Sequence, residues 1–292
     1  MLRALLTLII ILALGYVALA FWPGPAPVSH PYFAAAPAGR AEVIAHGGGL
    51  GVRPANTLSA LDAAARMGAD VLEVDVQQTA DGVLVLLHDA TLDRTTDMTG
   101  AVADMPLETV RQADAGAGPV PSGGDFSGRG IGVPTLAAAF ARHPQARWVL
   151  EIKPNTEEAA EAICREIRDA GAETRTLVGS FHDDAMAAFR KACPEVATSL
   201  STGEVTLFAL AAWAGLGHLV PTEGVALQIP TASSGITLAH PRIIKASHAR
   251  GFKVQFWTIN ERAEMDRLIA MGADGLITDY VERGLTAVSP AR

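Results

Sequence analysis

The sequence is poor in cysteine and in clustered positive charge, and these shortages exclude several classes of protein. Only two of its 292 residues are cysteine. Cys164 and Cys193 do not form a CxxC pair, so a zinc site built from thiolates is excluded. They are either two free thiols or, if the domain is exported, one disulfide. The net charge is −8 and no run of Lys and Arg is present, which argues against nucleic acid as a partner.

One long apolar run stands at the N-terminus. Residues 4–22 carry no charge, and nineteen helical residues nearly span a bilayer core of about 30 Å. Arg3 precedes the run and the next Lys or Arg is Arg40, which predicts that the N-terminus stays inside and the rest lies outside. The alternative is a signal peptide with a small-x-small cleavage site at 18–20. Residues 1–22 are therefore expected to be a transmembrane anchor or a signal peptide, and the folded domain to be extracytoplasmic, either membrane-anchored or secreted.

The rest of the chain alternates short apolar runs with amphipathic segments. This alternation predicts a parallel sheet covered by helices, and at this length a (β/α)8 TIM barrel is favoured over an open doubly wound sheet. Residues 23–40 are rich in Pro and Ala and are predicted to be a linker, with the barrel over 41–292. A Gly- and Pro-rich insertion at about 90–134 is typical of a lid or binding loop. Strands are predicted to begin near 43, 71, 83, 148, 177, 196, 225, 254 and 276, and helices to cover 57–67, 135–143, 157–170, 183–192, 204–214, 237–250 and 261–270.

One connection between strands is too short for a parallel crossover. Only residues 79–82 separate the second predicted strand from the third, so this pair is predicted to be an antiparallel hairpin. A two-residue loop can occupy either of two positions, and His88 then lies opposite Glu73 or Asp75. Both registers predict that His88 points to the same face as the two carboxylates, because side chains alternate along a strand.

Carboxylates and imidazoles stand near the ends of the predicted strands. Glu73 and Asp75 share one face of the second strand, and Glu151 ends a later strand. Barrel active sites lie where strands end, so these side chains can converge. Buried carboxylates repel one another, and a hard divalent cation, Ca²⁺ or Mg²⁺, removes the conflict. His46 and His88 beside such a site suit acid–base catalysis because imidazole titrates near neutral pH.

Each of these residues also has an ordinary structural explanation. A Glu-x-Asp pair on a strand usually lies on a solvated face, and a single histidine at a strand end is usually structural. Lys153 offers positive charge to an anionic group, although Glu151 and Lys153 can instead pair with neighbouring residues. The hairpin argument is what favours a common site, because it predicts one face for three of these side chains.

Five segments, in order along residues 43–280, carry the motifs of a known family. The chain resembles the glycerophosphodiester phosphodiesterase family, which is a family of phosphodiesterase barrels of the phospholipase C type. The matching segments are His46-Gly-Gly with Arg53-Pro-Ala-Asn-Thr57, Glu73-Val-Asp75 with Thr79-Ala-Asp-Gly82, His88-Asp89 with Leu92-Asp-Arg-Thr-Thr96, Glu151-Ile-Lys153, and Trp257-Thr-Ile-Asn260 with Gly275-Leu-Ile-Thr-Asp279.

The resemblance implies an enzyme, a phosphoric diester hydrolase. It implies metal-dependent hydrolysis of glycerophosphodiesters to glycerol 3-phosphate and an alcohol, with Ca²⁺ or Mg²⁺ as cofactor, in the metabolism of lipid derivatives. The substrate is then a small-molecule phosphodiester, while the membrane is contacted through the N-terminal segment and the oligomeric state stays open. The implied roles are metal ligation by Glu73, Asp75 and Glu151, acid–base catalysis by His46 and His88, phosphate contact by Lys153, and packing on glycerol or the leaving group by Trp257.

Two positions depart from the family pattern. Gly47 stands where the family usually has an arginine on the phosphate, and Ala55 stands where it usually has a glutamate. Arg53, Lys153 or Arg94 can supply the missing substrate contact, and the backbone of the glycine run can present N–H groups to an anion. The departures leave open a lysophospholipase D or another phosphodiesterase of this barrel type, or a catalytically weak relative that binds phosphorylated head groups.

Overall fold

Eight parallel strands form a nearly closed ring in the computed structural model, which describes residues 2–289. They follow one another round the ring in chain order, and the last pairs with the first. Continuous ladders join all neighbours except the fifth and sixth, which are joined by one bridge from Ser199 to Ala226. This ring confirms the predicted (β/α)8 barrel. The parallel strands are β1 (Glu42–Ala45), β2 (Val71–Gln78), β4 (Trp148–Ile152), β5 (Thr176–Gly179), β6 (Ala197–Thr198), β7 (Ala226–Ile229), β10 (Lys253–Phe256) and β11 (Gly275–Thr278).

Helices follow most of the strands and cover the barrel. Thr57, Thr135 and Thr156 begin three of them, and each threonine side chain accepts a hydrogen bond from an amide in the first turn. Most of the helices predicted from periodicity are present with bounds shifted by only a few residues. The helices are α1 (Leu2–Ala20), α2 (Leu58–Met67), α3 (Leu107–Val110), α4 (Leu136–Arg142), α5 (Glu157–Asp169), α6 (Asp183–Ala192), α7 (Thr202–Trp213), α8 (Pro241–Ala249), α9 (Arg262–Ala270) and α10 (Val281–Val288).

A small hairpin replaces the predicted start of one helix. The helix expected from residue 237 begins at Pro241, after His240 has capped it. The preceding residues form strands β8 (Ala232–Ser233) and β9 (Ile236–Thr237), which pair with each other and not with the barrel. The turn between them has positive φ at both central residues, the geometry that two-residue hairpins favour. This hairpin lies beside the barrel mouth.

Strand β3 (Leu84–Leu86) pairs antiparallel with β2, as the short connection predicted. Gln78 pairs with Leu84, and Thr79 donates its amide hydrogen to the carbonyl of Val83. The loop therefore has three residues, 80–82, and both predicted registers are wrong because they assumed two. The third residue is accommodated because Gly82 adopts the left-handed conformation, with φ +80°.

The predicted linker contributes to the barrel core. Residues 31–35 form a short 3-10 helix, and Tyr32 within it is fully buried against the apolar side chains inside the barrel. The guanidinium of Arg147 stacks 4.3 Å from the centre of its ring and pairs with Glu42. These contacts lie at the amino-terminal ends of the strands. The segment therefore closes the end of the barrel that is opposite the strands' carboxyl ends.

Helix α1 is exposed along its length and joins the barrel at this closed end. It has 19 residues and is apolar enough to cross a membrane, although a signal sequence meets the same criterion. The Tyr16 hydroxyl donates to the Ala214 carbonyl at 2.8 Å, and the Val28 amide donates to the Arg250 carbonyl at 2.8 Å. Both partners precede strands of the barrel. An anchor formed by α1 would thus leave from the end opposite the barrel mouth.

The insertion at about 90–134 folds against β3. It contributes apolar side chains that pack with Val85 and Leu87, so the segment has a small core of its own. Its members include Leu92, Val102 and Val110. The insertion is therefore a packed subdomain at one side of the mouth.

Candidate active site

A cavity of about 550 Å³ opens at the carboxyl ends of the strands. This is the end of a TIM barrel where active sites lie. Asp75 lies against the cavity through its contact with Lys153. The predicted site residues that line the cavity are His46, Glu73, His88, Glu151, Lys153 and Trp257.

Three carboxylates meet in this cavity. One oxygen atom from each of Glu73, Asp75 and Glu151 lies within 4.8 Å of the other two. Asp75 pairs directly with Glu151 in the parallel ladder of β2 and β4, and Glu73 precedes Asp75 by two residues on the same face. Strand register and alternation together therefore place the three acids in one cluster.

The positive charge nearby does not balance these acids. The ammonium of Lys153 lies 2.7 Å from Glu151 Oε1 and 2.9 Å from Asp75 Oδ1. Burial raises the pKa of Glu73, and the charge of Asp75 raises it further. Burial also raises the pKa of Glu151 despite the opposing effect of Lys153. Hard oxygen ligands with excess negative charge are what a Ca²⁺ or Mg²⁺ site requires, so the residues fit a divalent cation.

Neighbouring groups hold one oxygen of two of the carboxylates and leave another oxygen available. Asn56 Nδ2 donates to Asp75 Oδ2 at 2.8 Å, and its Oδ1 accepts from the amide of Asp75 at 3.0 Å. The Gly47 amide donates to Glu73 Oε2 at 2.6 Å. Buried Asp75 Oδ1 faces the Lys153 ammonium at 2.9 Å and has no further hydrogen-bond donor within residues 2–289. That ammonium is shared with Glu151, so it cannot neutralise both acids, which supports the fit to a cation.

The glycine run after His46 binds a protein carboxylate. Gly47, Gly48 and Gly49 all have positive φ, and the amide of Gly47 is bonded to Glu73. The Gly49 amide donates to the carbonyl of His46. The amides of Gly47 and Gly49 were expected to bind a substrate anion, but both already donate hydrogen bonds within the protein. The amide of Gly47 orients Glu73, which is a candidate metal ligand.

The two departures from the family pattern lie side by side. A Cβ atom on Gly47 would lie 3.5 Å from the Cβ of Ala55. The two positions therefore face the same space beside the glycine run.

His46 is held by a partly buried acid that directly follows the last strand. Its Nδ1 lies 2.6 Å from Asp279 Oδ1, and Asn260 Nδ2 donates to Asp279 Oδ2 at 2.6 Å. Burial alone would lower the pKa of His46, but the hydrogen bond to Asp279 and the charges of Glu73, Asp279 and Asp75 raise it to about 9. The imidazole is therefore held cationic, with Nε2 left for chemistry.

His88 is held in a similar way by a different acid. Its Nδ1 lies 2.7 Å from Asp89 Oδ1, and Arg94 donates to both oxygens of Asp89 at 2.6 and 2.8 Å. The imidazole is half exposed. The guanidinium of Arg94 neutralises Asp89, whereas Asp279 has only a neutral amide beside it. The two imidazoles therefore have similar geometry and different electrostatics.

His88 lines the cavity for a reason other than the predicted one. In the observed register its position lies opposite Val74, so strict alternation would turn the imidazole away from Glu73 and Asp75. Strand β3 ends at Leu86, and the chain beyond it no longer follows the ladder. The predicted face was obtained from wrong registers, and the end of the strand is what allows His88 to line the cavity.

Arg53 is not brought to the cavity with the other predicted residues. Its guanidinium lies 5.3 Å from the centre of the Phe126 ring and donates to the carbonyl of Val52. Stacking on the insertion thus directs it away from the carboxylates. Trp257 does line the cavity, where it packs edge-to-face with Phe181 at 5.6 Å between ring centres.

Four supporting residues were not assigned a role from the sequence. Asn56, Asp89, Asn260 and Asp279 orient the acids and imidazoles described above. All four stand in the quoted motifs, and Asp89 directly follows His88. Their position in the motifs was the available signal, but their partners are set by tertiary structure.

The chain is similar to known proteins along most of its length. The profile of the glycerophosphoryl diester phosphodiesterase family matches residues 46–283. A glycerophosphodiester phosphodiesterase of Caldanaerobacter subterraneus subsp. tengcongensis is 31% identical over 250 residues, covering 82% of this chain and 94% of that protein. A phosphodiesterase of Oleispira antarctica, solved with its product sn-glycerol-3-phosphate, superposes with a TM-score of 0.68 at 26% identity, covering 85% of this chain and 97% of that one.

Proposed function

This chain belongs to the glycerophosphoryl diester phosphodiesterase family and is a phosphoric diester hydrolase, and on that premise we propose how its site works. We propose that it hydrolyses glycerophosphodiesters derived from lipids to glycerol 3-phosphate and an alcohol, and that it needs a divalent cation. The observation that carries the proposal is the cluster of Glu73, Asp75 and Glu151 beside two imidazoles that each bind a carboxylate through Nδ1.

The cation would be held by the three clustered acids. When bound, Ca²⁺ or Mg²⁺ supplies a charge that polarises a phosphodiester oxygen. Lys153 lies between Asp75 and Glu151, and its charge is available to a non-bridging phosphate oxygen as well. Burial keeps these charges in a medium of low dielectric, where they act on the substrate more strongly than in water.

The imidazole partners assign the acid and the base. His46 is paired with Asp279, which has no cationic partner, so it is held protonated and donates through Nε2 to the leaving alcohol oxygen. His88 is paired with Asp89, whose charge Arg94 offsets, so it accepts a proton through Nε2 from the attacking hydroxyl. The attacking group is either a water molecule or the neighbouring hydroxyl group of the substrate's own glycerol.

Hydrolysis of glycerophosphocholine by the full-length protein tests the proposal. We expect release of glycerol 3-phosphate that stops with a chelator and returns with Ca²⁺ or Mg²⁺. His46→Ala and His88→Ala should each lower kcat by roughly 10²–10⁴-fold. His248→Ala is the matched control, because His248 pairs with Asp274 at the closed end of the barrel. Activity that survives chelation, or that persists in both site variants, contradicts the proposal.

The leaving group separates the two histidine roles. A p-nitrophenyl ester of glycerol phosphate releases an anion that needs no proton, so His46→Ala should lose far less activity with it than with glycerophosphocholine. His88→Ala should lose the same factor with both substrates. The opposite pattern would exchange the two roles.

We also propose that the barrel is exported and held to a membrane by α1. Two features support this, the apolar length of α1 and a disulfide between Cys164 and Cys193. Disulfides persist in oxidising compartments outside the cytoplasm. The mass of the mature chain tests the anchor, because cleavage after Ala20 would remove the segment and give a secreted enzyme.

A further inference from the structure

One row of residues crosses the inside of the barrel from the cavity to its closed end. Gln228 on β7 is the register partner of Gln255 on β10. Gln255 is in turn the partner of Gly275 on β11, and Gly275 is the partner of Glu42 on β1. A Cβ atom on Gly275 would lie 2.9 Å from Cγ of Gln255, so the missing side chain lets Gln255 reach past β11 to Glu42.

Hydrogen bonds run along this row, and the buried end fixes their direction. Glu42 accepts from the Arg147 guanidinium through Oε1 and from Gln255 Nε2 at 3.1 Å through Oε2. A carboxylate that is ionised beside a guanidinium has no proton to donate, so Gln255 must turn its NH₂ group toward Glu42. The other end of that amide, Oε1, accepts from Gln228 Nε2 at 2.9 Å. The row therefore leaves the Oε1 of Gln228 free.

Gln228 Oε1 faces a small gap in the cavity wall. A Cβ atom on Gly179 would lie 3.1 Å from Gln228 Oε1 and 2.9 Å from Ser199 Oγ. All three residues line the cavity, and Gly179 is the register partner of Glu151, one of the three acids. Neither oxygen forms a hydrogen bond within residues 2–289. The gap therefore has an acceptor and a hydroxyl at its edge, beside the clustered acids.

We propose that Gln228 is a specificity-determining residue whose Oε1 accepts a hydrogen bond from a hydroxyl group of the substrate, and that Glu42 and Gln255 position it. The proposal rests on the proposed function, because a glycerophosphodiester carries that hydroxyl. Ser199 Oγ donates to the same hydroxyl oxygen. The hydroxyl belongs either to the glycerol or to the leaving alcohol, and the experiment has an arm for each source.

A hydroxyl fits the gap better than an ammonium group does. From Gly179 onwards, the cavity lining within the described residues has no charged side chain. The neighbouring Glu151 is already paired with Lys153 at 2.7 Å. An ammonium group would therefore lose its hydration without gaining an opposite charge, whereas a hydroxyl needs only an acceptor.

The fixed direction of the Gln228 amide makes the site selective. A freely rotating amide offers either its oxygen or its NH₂ group to a ligand. With Nε2 held by Gln255, the oxygen is offered, and a substrate with fluorine in place of the hydroxyl has no proton for it. Leaving this acceptor unpaired should lower kcat/KM by roughly tenfold to a hundredfold.

Fluorinated substrates given to the full-length protein with Ca²⁺ or Mg²⁺ test this selectivity. The reference substrate is the hydroxypropyl ester of glycerol phosphate. One analogue has fluorine in place of the propyl hydroxyl, and two others have it in place of one glycerol hydroxyl each. The measured quantity is kcat/KM for the reference divided by kcat/KM for each analogue. This ratio does not depend on the fraction of enzyme that is folded.

Gln228→Met removes the acceptor and keeps the length of the side chain. We expect it to lower one of the three ratios by roughly tenfold, and the analogue affected identifies the hydroxyl. Gln78→Met is the matched control. Gln78 is also half-buried and donates through Nε2 to a carbonyl, that of Gly82, but it does not line the cavity. The control should leave all three ratios unchanged.

Glu42→Gln tests the positioning. The new amide must keep its oxygen toward Arg147, which only donates, so its NH₂ group faces Gln255. Gln255 then turns over, and Gln228 offers Nε2 to the cavity in place of Oε1. The ratio that falls in Gln228→Met should therefore fall here too, although Glu42 does not line the cavity. Gln255→Met, which frees Gln228 Nε2, should lower the same ratio.

The outcomes separate this proposal from the one on which it rests. Hydrolysis of the reference substrate with no ratio lowered by Gln228→Met overturns the hydroxyl site and leaves the proposed function standing. An equal change in Gln78→Met also overturns the site. Ratios that stay unchanged in both Glu42→Gln and Gln255→Met overturn the positioning. No hydrolysis of any substrate under any divalent cation overturns both proposals.

Discussion

Replacing Asp279 with asparagine tests whether its carboxylate holds His46 in the charged form. Asn260 Nδ2 donates to one oxygen of Asp279, and the other oxygen lies 2.6 Å from His46 Nδ1. An amide that keeps its oxygen toward Asn260 must turn its NH₂ group toward Nδ1. The imidazole Nδ1 then has to accept a hydrogen bond from the amide, so Nδ1 can no longer carry a proton. The substitution keeps the shape of the side chain and removes its charge.

The stability change depends on pH in a definite direction. The pKa of His46 is raised from 6.5 to about 9 in the folded protein, and that difference corresponds to about 3 kcal/mol. Because Glu73 and Asp75 contribute part of it, we assign about 2 kcal/mol to Asp279. Because the pKa of His46 is higher in the folded protein, the charged imidazole stabilises the folded state fully below pH 6.5. This stabilisation is lost as the pH rises through about 9. The variant should therefore be less stable at pH 6 and equal to wild type at pH 10.

Thermal unfolding of the chelator-treated full-length protein in detergent measures this difference. About 2 kcal/mol corresponds to a fall in Tm of roughly 4–8 °C at pH 6. The control is the same substitution in a His46→Ala background, where the pH-dependent part should disappear. An equal loss at pH 6 and pH 10, or a pH-dependent loss without His46, would refute the charge pairing. We also expect kcat on glycerophosphocholine to fall by roughly 10²–10⁴-fold.

Three further predictions concern the acids, the closed end of the barrel and the disulfide. A divalent cation at a hundred times its Kd should stabilise the protein by about 2.7 kcal/mol. Glu151→Gln should abolish the resulting rise in Tm. A rise in Tm that persists in this variant contradicts a cation site at the three acids. Tyr32→Phe should not lower stability, because the buried hydroxyl has no hydrogen-bond partner within residues 2–289. Tyr32→Ala should cost about 3–5 kcal/mol in urea unfolding. Equal losses in the two variants would contradict the inference that the ring of Tyr32 stabilises the barrel by packing. Replacing Cys164 and Cys193 by serine should cost about 3–4 kcal/mol, because the bond joins residues 29 apart, and a free thiol in unfolded wild type would contradict it.

Local patterns were sufficient to predict most of the secondary structure. Short apolar runs and amphipathic segments depend only on neighbours in the chain, so the bounds of strands and helices came close. The segments that sequence reasoning placed wrongly depend on tertiary contacts. The short helix around Tyr32 forms only against a completed barrel interior, which no local pattern encodes. Its prolines and alanines read as a linker for that reason.

The acids of the site were accessible to sequence reasoning because they occupy one strand and its neighbour. Their supporting partners were not. Asp279 lies 233 residues beyond His46, and they meet only because β11 returns to pair with β1 and closes the ring. Arg53 is predicted to contact the substrate phosphate, but its guanidinium stacks on Phe126 and does not line the cavity.

The hairpin of β2 and β3 shows which constraint places a residue at a barrel mouth. Alternation of side chains predicts the face of a residue only while the two strands remain paired. One extra residue in the loop shifts the register and reverses the predicted face. In the observed register parity would direct His88 toward the side of Val74, yet it lines the cavity with Glu73. The chain leaves the ladder at Leu86, and the hydrogen bond that Asp89 accepts from His88 Nδ1 then orients the ring. Position at the end of a strand is therefore better evidence for a site residue in this fold than the face on which alternation places it.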